Sequence, residues 1–229
     1  MIDQNEFRNQ AHHFVDWMAD YLENIEKFPV KSALNPGDIY KSIPAFPPDK
    51  PESIDHVFHD FQEIILPGIT HWQSPNFFGY FPANSSYPSL LAEMLTATLG
   101  AQCMIWETSP AAAELEEKIM NWLKNMMGLP GNFHGVIQDT ASTATLTALL
   151  TARERHTGYQ INEQGFMHND FRIYCSTETH SSIEKAIKIA GFGRKNLVKI
   201  PVDENFRLNT ELLVKAIDED IKKNLKPLA

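Results

Sequence analysis

Cysteine is nearly absent from this chain: 229 residues contain two, Cys103 and Cys175, far apart and without CxxC spacing. That leaves no basis for a disulfide framework or a zinc ribbon, and a reducing compartment is expected. Basic charge is also short. Twenty Lys and Arg stand against 29 Asp and Glu, a formal net charge of −9, and no basic cluster breaks that balance, so neither nucleic acid nor an anionic membrane is expected as a partner. Long apolar runs are missing: nothing approaches the ~20 apolar residues of a membrane span. The opening MIDQNEFRNQ lacks the basic-then-apolar order of a secretory signal, so a cytoplasmic protein is expected. His56 and His59 lie three apart with no third ligand at metal-site spacing, so no metal is expected.

What is present suffices for a folded chain. With 43% apolar residues it can bury a sizeable core, as one domain or two. Over residues 2–26, Phe7, Ala11, Phe14, Val15, Met18, Tyr21, Leu22 and Ile25 follow helical spacing and predict an amphipathic helix whose stripe needs a partner surface. Residues 28–51 carry prolines at 29, 36, 44, 47, 48 and 51, which forbid a continuous helix and read as an extended arm. Packing of that arm within one chain and around a second subunit are equally compatible with the sequence. A second amphipathic helix is predicted over 53–66, stopped by Pro67 and Gly68. Residues 72–87 are dense in aromatics at neither helical nor strand period, suited either to a pocket wall or to packing beneath a loop. Helices are predicted over 88–100 and 111–127, the second opened by Ser109 and Pro110 and closed by Gly128.

From residue 135 onward the pattern alternates. Strands are predicted over 135–138, 171–176 and 197–202, and helices over 144–156, 182–190 and 209–223, which argues for a mostly parallel sheet with helices on its faces. The final KPLA stops where another strand would be expected to begin. Two of the strand-to-helix junctions are polar. In the first, Asp139, Thr140, Ser142 and Thr143 cluster at a helix start, where unpaired N–H groups favour a phosphate or carboxylate; Thr140 or Ser142 can equally serve as a plain helix cap. In the second, Ser181 and Glu184 have capping-box spacing, which leaves His180 unexplained. In an open α/β sheet, groups beyond the carboxyl ends of parallel strands can face one pocket.

Four stretches occur in order across nearly the whole chain: THWQSPNFFGYFPANSSYPSLLAEML (70–95), SPAAAELEEKIMNWL (109–123), GVIQDTASTATLTALLTAR (135–153) and THSSIEKA (179–186). Together they resemble the N-terminal part of the group II pyridoxal-phosphate-dependent amino-acid decarboxylases, the family of aromatic-L-amino-acid (DOPA), histidine and tyrosine decarboxylases. The resemblance implies an α/β fold: an N-terminal helical and extended arm over 1–87, serving dimerisation and one pocket wall, then over 88–229 a truncated first part of a type I, aspartate aminotransferase-like large domain with a mostly parallel sheet. It implies pyridoxal 5'-phosphate as cofactor, an L-amino acid as substrate and a homodimer formed through the arm.

Residue by residue, the resemblance assigns Ala141 and Ser142, with Thr140 a weaker match, to the cofactor phosphate. His180 matches the catalytic His that stacks on the pyridine ring and contacts substrate. Trp72, Phe81, Pro82 and Ala83 match positions lining the substrate pocket, Ala83 standing where the family commonly has Thr. Gln102 and Met104 fall where aromatic decarboxylases carry bulky apolar residues, which argues against an aromatic substrate. Asp139 replaces a residue often glycine in the animal enzymes, and a carboxylate beside a phosphate is unfavourable unless it points away.

The chemistry of the family needs a Lys that holds the cofactor as a Schiff base and an Asp that keeps its pyridine nitrogen protonated. Neither family context, Asp-Ala-Ala nor His-Lys, occurs in the sequence; Lys185 and Lys188 belong to the helix after His180 and do not fill the gap. Two readings follow. The chain is the N-terminal portion of a decarboxylase and inactive alone, or it is a noncatalytic dimerisation or binding module. A serine hydrolase built on Ser142 ranks last, because TASTA lacks the glycines of a nucleophile elbow.

Overall fold

The computed structural model describes residues 3–81, 85–166 and 170–229. They form two compact units, Met1–Ala101 and Gln102–Ala229.

The first unit is helical. Its first helix, α1 (Gln4–Glu23), starts where Asp3 accepts from the Asn5 and Glu6 N–H groups, both at 2.8 Å, a side-chain cap for otherwise orphaned donors. The packed face is aromatic: Phe14 of the predicted stripe lies 4.7 Å from Phe58, and Trp17, outside that stripe, 5.4 Å from Phe61 between ring centroids. These partners come from the helix predicted over 53–66. It is α-helical only as α3 (Ile54–Asp60), then widens into a π turn over Phe61–Ile65, where the Leu66 N–H reaches the Phe61 carbonyl. The arm is non-helical except for α2 (Asp38–Ser42). It is tied down by the Ser32 hydroxyl donating to the Pro67 carbonyl at 2.7 Å. Gly68 permits the close approach: a Cβ there would sit 2.9 Å from Ile39 Cδ1. The last helix of the unit, α4 (Tyr87–Leu99), opens with a reciprocal Ser86–Ser89 capping box and ends at Gly100 in the left-handed region, φ 56°.

The second unit begins with α5 (Pro110–Met126) and α6 (Ala141–His156) and continues through a short α7 (Gln160–Gln164). It then alternates: β1 (Phe171–Ser176), α8 (Ser182–Ile189), β2 (Leu197–Ile200), α9 (Thr210–Lys222) and β3 (Lys226–Pro227). The sheet is small and parallel, with strand order β2-β1-β3, as the βα alternation predicts. Strand periodicity divides β1 between two faces. Phe171 and Ile173 are buried with Leu149, Ala186, Ile187, Ala190 and Phe192, so α6 and α8 cover one face. Arg172 and Tyr174 point the other way and meet Asp220 of α9, Arg172 Nε at 3.1 Å and the Tyr174 hydroxyl at 2.8 Å.

Two expectations need correction, and the strand expected at the final KPLA is formed. Residues 135–138 form no strand: the Ile137 N–H donates to Glu116 Oε1 of α5 at 2.7 Å, and no ladder partner for them occurs among the described residues. Val136 and Ile137 are accordingly 60% and 59% exposed. The final KPLA does enter the sheet, because the Lys226 and Leu228 N–H groups donate to the Asp170 and Arg172 carbonyls at 2.8 and 2.9 Å. Ser181 and Glu184 make no capping box. Glu184 turns instead to Lys188, Arg194 and Lys199, and the cap falls to His180.

Candidate functional site

The start of α6 is built by Thr140. Its side chain accepts the Thr143 N–H at 3.2 Å and its own N–H donates to Thr143 Oγ1 at 3.2 Å, so the threonine pair closes a capping box. Asp139 joins the pair by accepting the Thr143 hydroxyl through Oδ1. The plain-cap reading of Thr140 is therefore correct, and Thr140 is committed to the helix. Ser142 is not. Its exposed hydroxyl and the N–H groups of Ala141 and Ser142 have no partner among the described residues. Two open backbone donors and a hydroxyl at the positive end of a 16-residue helix are the donor set that a phosphate needs.

His180 sits just past the carboxyl end of β1. The Ser182 N–H donates to its Nδ1 at 3.2 Å, and Ser182 Oγ lies 3.0 Å from the same nitrogen. An Nδ1 that accepts a backbone N–H is unprotonated, so the neutral ring carries its proton on Nε2, its free edge. The residue is exposed, with the ring fixed from one side.

The core brings these two starts to one end of the unit. Arg153, late in α6, donates through Nη1 to the Ala190 carbonyl at the end of α8, 2.7 Å away, while Leu146 and Ile183, early in each helix, pack on the same core. The helices therefore run parallel with neighbouring N-termini, about 8–10 Å apart between axes. Thr140, Ala141 and Ser142 lie together, and His180 lies at the same end. On the other side of α6 lies a groove of about 960 Å³ lined by His134, Val136, Gln138, Thr147, Arg155 and others; none of the predicted cofactor residues lines it.

The remaining candidates are scattered. Trp72 stands in the first unit with its ring 4.6 Å from Phe77 and 5.8 Å from Tyr80, and Phe81 is 99% exposed. Pro82 and Ala83 lie outside the described residues. Gln102 and Met104 open the second unit on an exposed stretch. The turn after them is pinned by the Thr108 hydroxyl, which donates to the Ile105 carbonyl at 3.0 Å, and by Trp106 Nε1 donating to Glu114 at 3.0 Å. His56 stays within ion-pair range of Glu52 and Asp60, at 3.4 and 3.9 Å. Sequence reasoning missed His71, which is buried beside Trp72; its one signal is that Tyr21, its partner, belongs to the apolar stripe of α1.

A parallel α/β sheet with an open helix start and an exposed histidine, both at the carboxyl end of the strands, has the layout in which open α/β proteins bind their ligands. Comparison with known proteins narrows the class. Residues 36–229 match the pyridoxal-dependent decarboxylase conserved domain, and the chain belongs to that family, whose cofactor is pyridoxal phosphate. A phenylacetaldehyde synthase of Arabidopsis thaliana is 41% identical over 237 residues, covering 99% of this chain and 47% of its own length. A tyrosine decarboxylase of Papaver somniferum is 40% identical over 240 residues, covering 99% and 46%. Among solved structures, that of Catharanthus roseus tryptophan decarboxylase in complex with L-tryptophan matches with a TM-score of 0.90 and 37% identity, over 99% of this chain and 48% of that one. The chain spans about half the length of the curated relatives it matches. No helix among the described residues is long and apolar enough to cross a membrane.

Proposed function

We propose that this chain is the N-terminal portion of a cytoplasmic pyridoxal-phosphate-dependent decarboxylase that converts an L-amino acid to its amine and CO2. The observation that carries this reading is the pairing of the open α6 start with His180 at one end of the parallel sheet. When bound, pyridoxal phosphate supplies the electron sink for the bond electrons that CO2 leaves behind. The residues of this chain do the holding. The Ala141 and Ser142 N–H groups and the Ser142 hydroxyl receive the phosphate, and the Thr140–Thr143 box keeps the helix start rigid. His180, braced by Ser182, would hold the pyridine ring, with Nε2–H available to the substrate. On the strength of the family resemblance we assign Trp72, Phe81, Pro82 and Ala83 to substrate contact, and Gln102 and Met104 on the same ground.

The Schiff-base Lys and the pyridinium Asp come from sequence outside residues 1–229, so the chain alone is inactive. Residues 1–87 act as the dimerisation arm and pocket wall, and residues 88–229 as the first part of the large domain. Support for the homodimer comes from a groove of about 680 Å³ in the first unit, lined by Phe7, Phe14, Met18, Phe58 and Met94 among others, a surface that a second copy would cover. Aromatic L-amino acids are the first substrates to test, because relatives are named for tyrosine and tryptophan decarboxylation; Gln102 and Met104 argue the other way and make the substrate panel informative. The second reading, a noncatalytic dimerisation or binding module, is favoured by one observation: α6, β1 and α8 close a buried core within these residues.

The test is amine and CO2 release from a panel of L-amino acids by the full-length holoenzyme and by the 229-residue chain. The decarboxylase reading expects product from the former and none from the latter, with no cofactor left covalently attached to the short chain after borohydride reduction. Amine from neither sinks it in favour of the module.

A further inference from the structure

His71 is the residue in the first unit that the proposed chemistry does not use and the fold treats as an anchor. It is 2% exposed in a cage of aromatic rings, with Phe28 at 4.9 Å and Tyr21 at 5.7 Å between centroids. Inside that cage it makes one side-chain hydrogen bond, Nδ1 to the Tyr21 hydroxyl at 2.6 Å. Its backbone is held as firmly: the N–H donates to the Val30 carbonyl at 2.9 Å and the carbonyl accepts the Ser74 N–H at 3.1 Å. Three separate pieces of the unit, the last turns of α1, the start of the arm and the aromatic stretch, therefore meet at one imidazole. The next residue is Trp72, whose ring is the base of the ladder it forms with Phe77 and Tyr80. Tyr80 holds a left-handed backbone conformation, φ 55°, which is uncommon for a residue other than glycine.

We infer that His71 and Tyr21 are positioning residues, a buried polar pair that fixes the Trp72–Phe77–Tyr80 ladder as a preformed wall of the amino-acid pocket. The inference rests on the proposed function only for what the wall contacts; that the pair sets the ladder's geometry stands apart from it. A buried hydrogen bond between two ring side chains fixes direction as well as distance, which apolar packing alone does not. Ring area held in place before binding spares the ligand the cost of ordering it.

Two measurements test this. The 229-residue chain is labelled with fluorotryptophan, which gives one fluorine resonance for each of its four Trp residues, that of Trp72 being assigned with Trp72→Phe. Tyr21→Phe and His71→Leu are expected to shift or broaden the Trp72 resonance while Trp106 and Trp122 stay unmoved. His71→Asn, whose amide falls near the Nδ1 position, is expected to restore it. A Trp72 resonance unmoved in both Tyr21→Phe and His71→Leu overturns the inference. In the full-length holoenzyme the same two variants are expected to raise KM for the amino acid about tenfold with kcat within twofold, and His71→Asn to recover most of that loss. A lowered melting temperature with KM and kcat both unchanged overturns the positioning role and leaves the pair structural. If the unsubstituted holoenzyme releases no amine, the decarboxylase reading fails, and the fluorine spectra alone decide whether the pair sets the ladder.

Discussion

The helices α4 and α8 are both capped and both apolar on at least one side, yet they meet opposite fates. In α8, eight residues long, Ser182, Ala186 and Ile187 are buried, Ile187 to 0% exposure. In α4, thirteen residues long and rich in Leu, Ala and Met, no residue is buried, and Leu95 and Leu99 remain 64% and 77% exposed. Sequence quality does not separate them, since α4 has the better caps. Partners do. Around α8 the chain supplies β1, β2 and α6, so its apolar face finds a complete core within these residues. The apolar residues of α4 are those of an element made to be covered. The comparison sorts the molecule into parts that finish themselves and parts that await a neighbour, and the candidate site lies on a self-finished part.

The sharpest way to break that comparison is to remove the centre of the finished part. Phe192, fully buried, meets Phe166 edge-on at 5.6 Å and Phe171 at 6.2 Å. Phe192→Ala should destabilise the second unit by about 3–5 kcal/mol, the cost of a vacated aromatic site. Urea unfolding followed by the circular dichroism of the chain should show the loss as a lower midpoint.

Next in size is the other face of the sheet. Asp220 is buried and accepts from both Arg172 and Tyr174, so Asp220→Ala leaves two donors without their acceptor and should cost about 2–4 kcal/mol. Tyr174→Phe, which removes one bond but leaves Arg172 on the same Asp220 oxygen, should cost about 1–1.5 kcal/mol. Burial first, and then the bond to Asp220, push the Tyr174 hydroxyl above its ordinary pKa of 10.0. The unfolded chain then loses that proton at lower pH than the folded one. This contribution is therefore complete below pH 10 and lost as pH rises beyond it. An alkaline titration of stability should fall in the parent and be flatter in Tyr174→Phe.

His71 gives the opposite sign in the first unit. Burial lowers its pKa from 6.5, so the unfolded state takes up a proton first as pH falls. Its contribution is complete above pH 6.5 and is lost as pH drops through the lowered folded value. Thermal melts should show the first unit weakening in mild acid, and His71→Asn should remove that part of the dependence.

Which of these features could be read from the sequence follows the same division. Local signals worked where local physics decides. The stripe from Phe7 to Leu22, the helix over 88–100, the Pro110 start and the Thr140 junction all describe elements that form where expected. Signals failed where the outcome depends on a distant partner. Residues 135–138 have strand composition but no ladder neighbour among the described residues, and the Ile137 N–H turns to Glu116. Lys226 and Pro227 have little strand character, yet they pair with Phe171 and Arg172 because β1 offers an open edge there. At the site, the helix start and His180 were legible as separate junctions. Their shared end of the unit was anticipated from the general layout of open α/β sheets, but the contact that sets it, Arg153 reaching Ala190 across 37 positions of sequence, was not. The bond between Tyr21 and His71, 50 positions apart, left no local trace.

A smaller effect separates folding from ligand binding at that site. Thr140→Ala removes the side chain that caps α6 and should cost about 1 kcal/mol of stability. Ser142→Ala removes a hydroxyl with no partner among the described residues and should cost almost none. Binding of pyridoxal phosphate should reverse the order. In a calorimetric titration of the full-length holoenzyme's apo form, Ser142→Ala should lower affinity several-fold, whereas Thr140→Ala should do so less, through the looser helix start alone. Equal losses from both variants would mean that the α6 start acts only as a cap.

The smallest expected change is the one that bears most directly on α4. Replacing an exposed Leu on a folded protein normally shifts stability by no more than about 0.5 kcal/mol, and Leu95→Ser should do no more than that in the 229-residue chain. The same substitution should nevertheless reduce self-association of the chain, because it interrupts the apolar row of Leu91, Leu95 and Leu99, whose i, i+4 spacing puts them on one helix face. In a full-length protein that covers this face, Leu95→Ser should instead cost about 2–4 kcal/mol, as a polar group enters a packed contact. Sedimentation and denaturant unfolding of both forms measure the pair of values. A cost below about 0.5 kcal/mol in both forms would make α4 an ordinary surface helix and remove the distinction between finished and unfinished parts that the comparison with α8 draws.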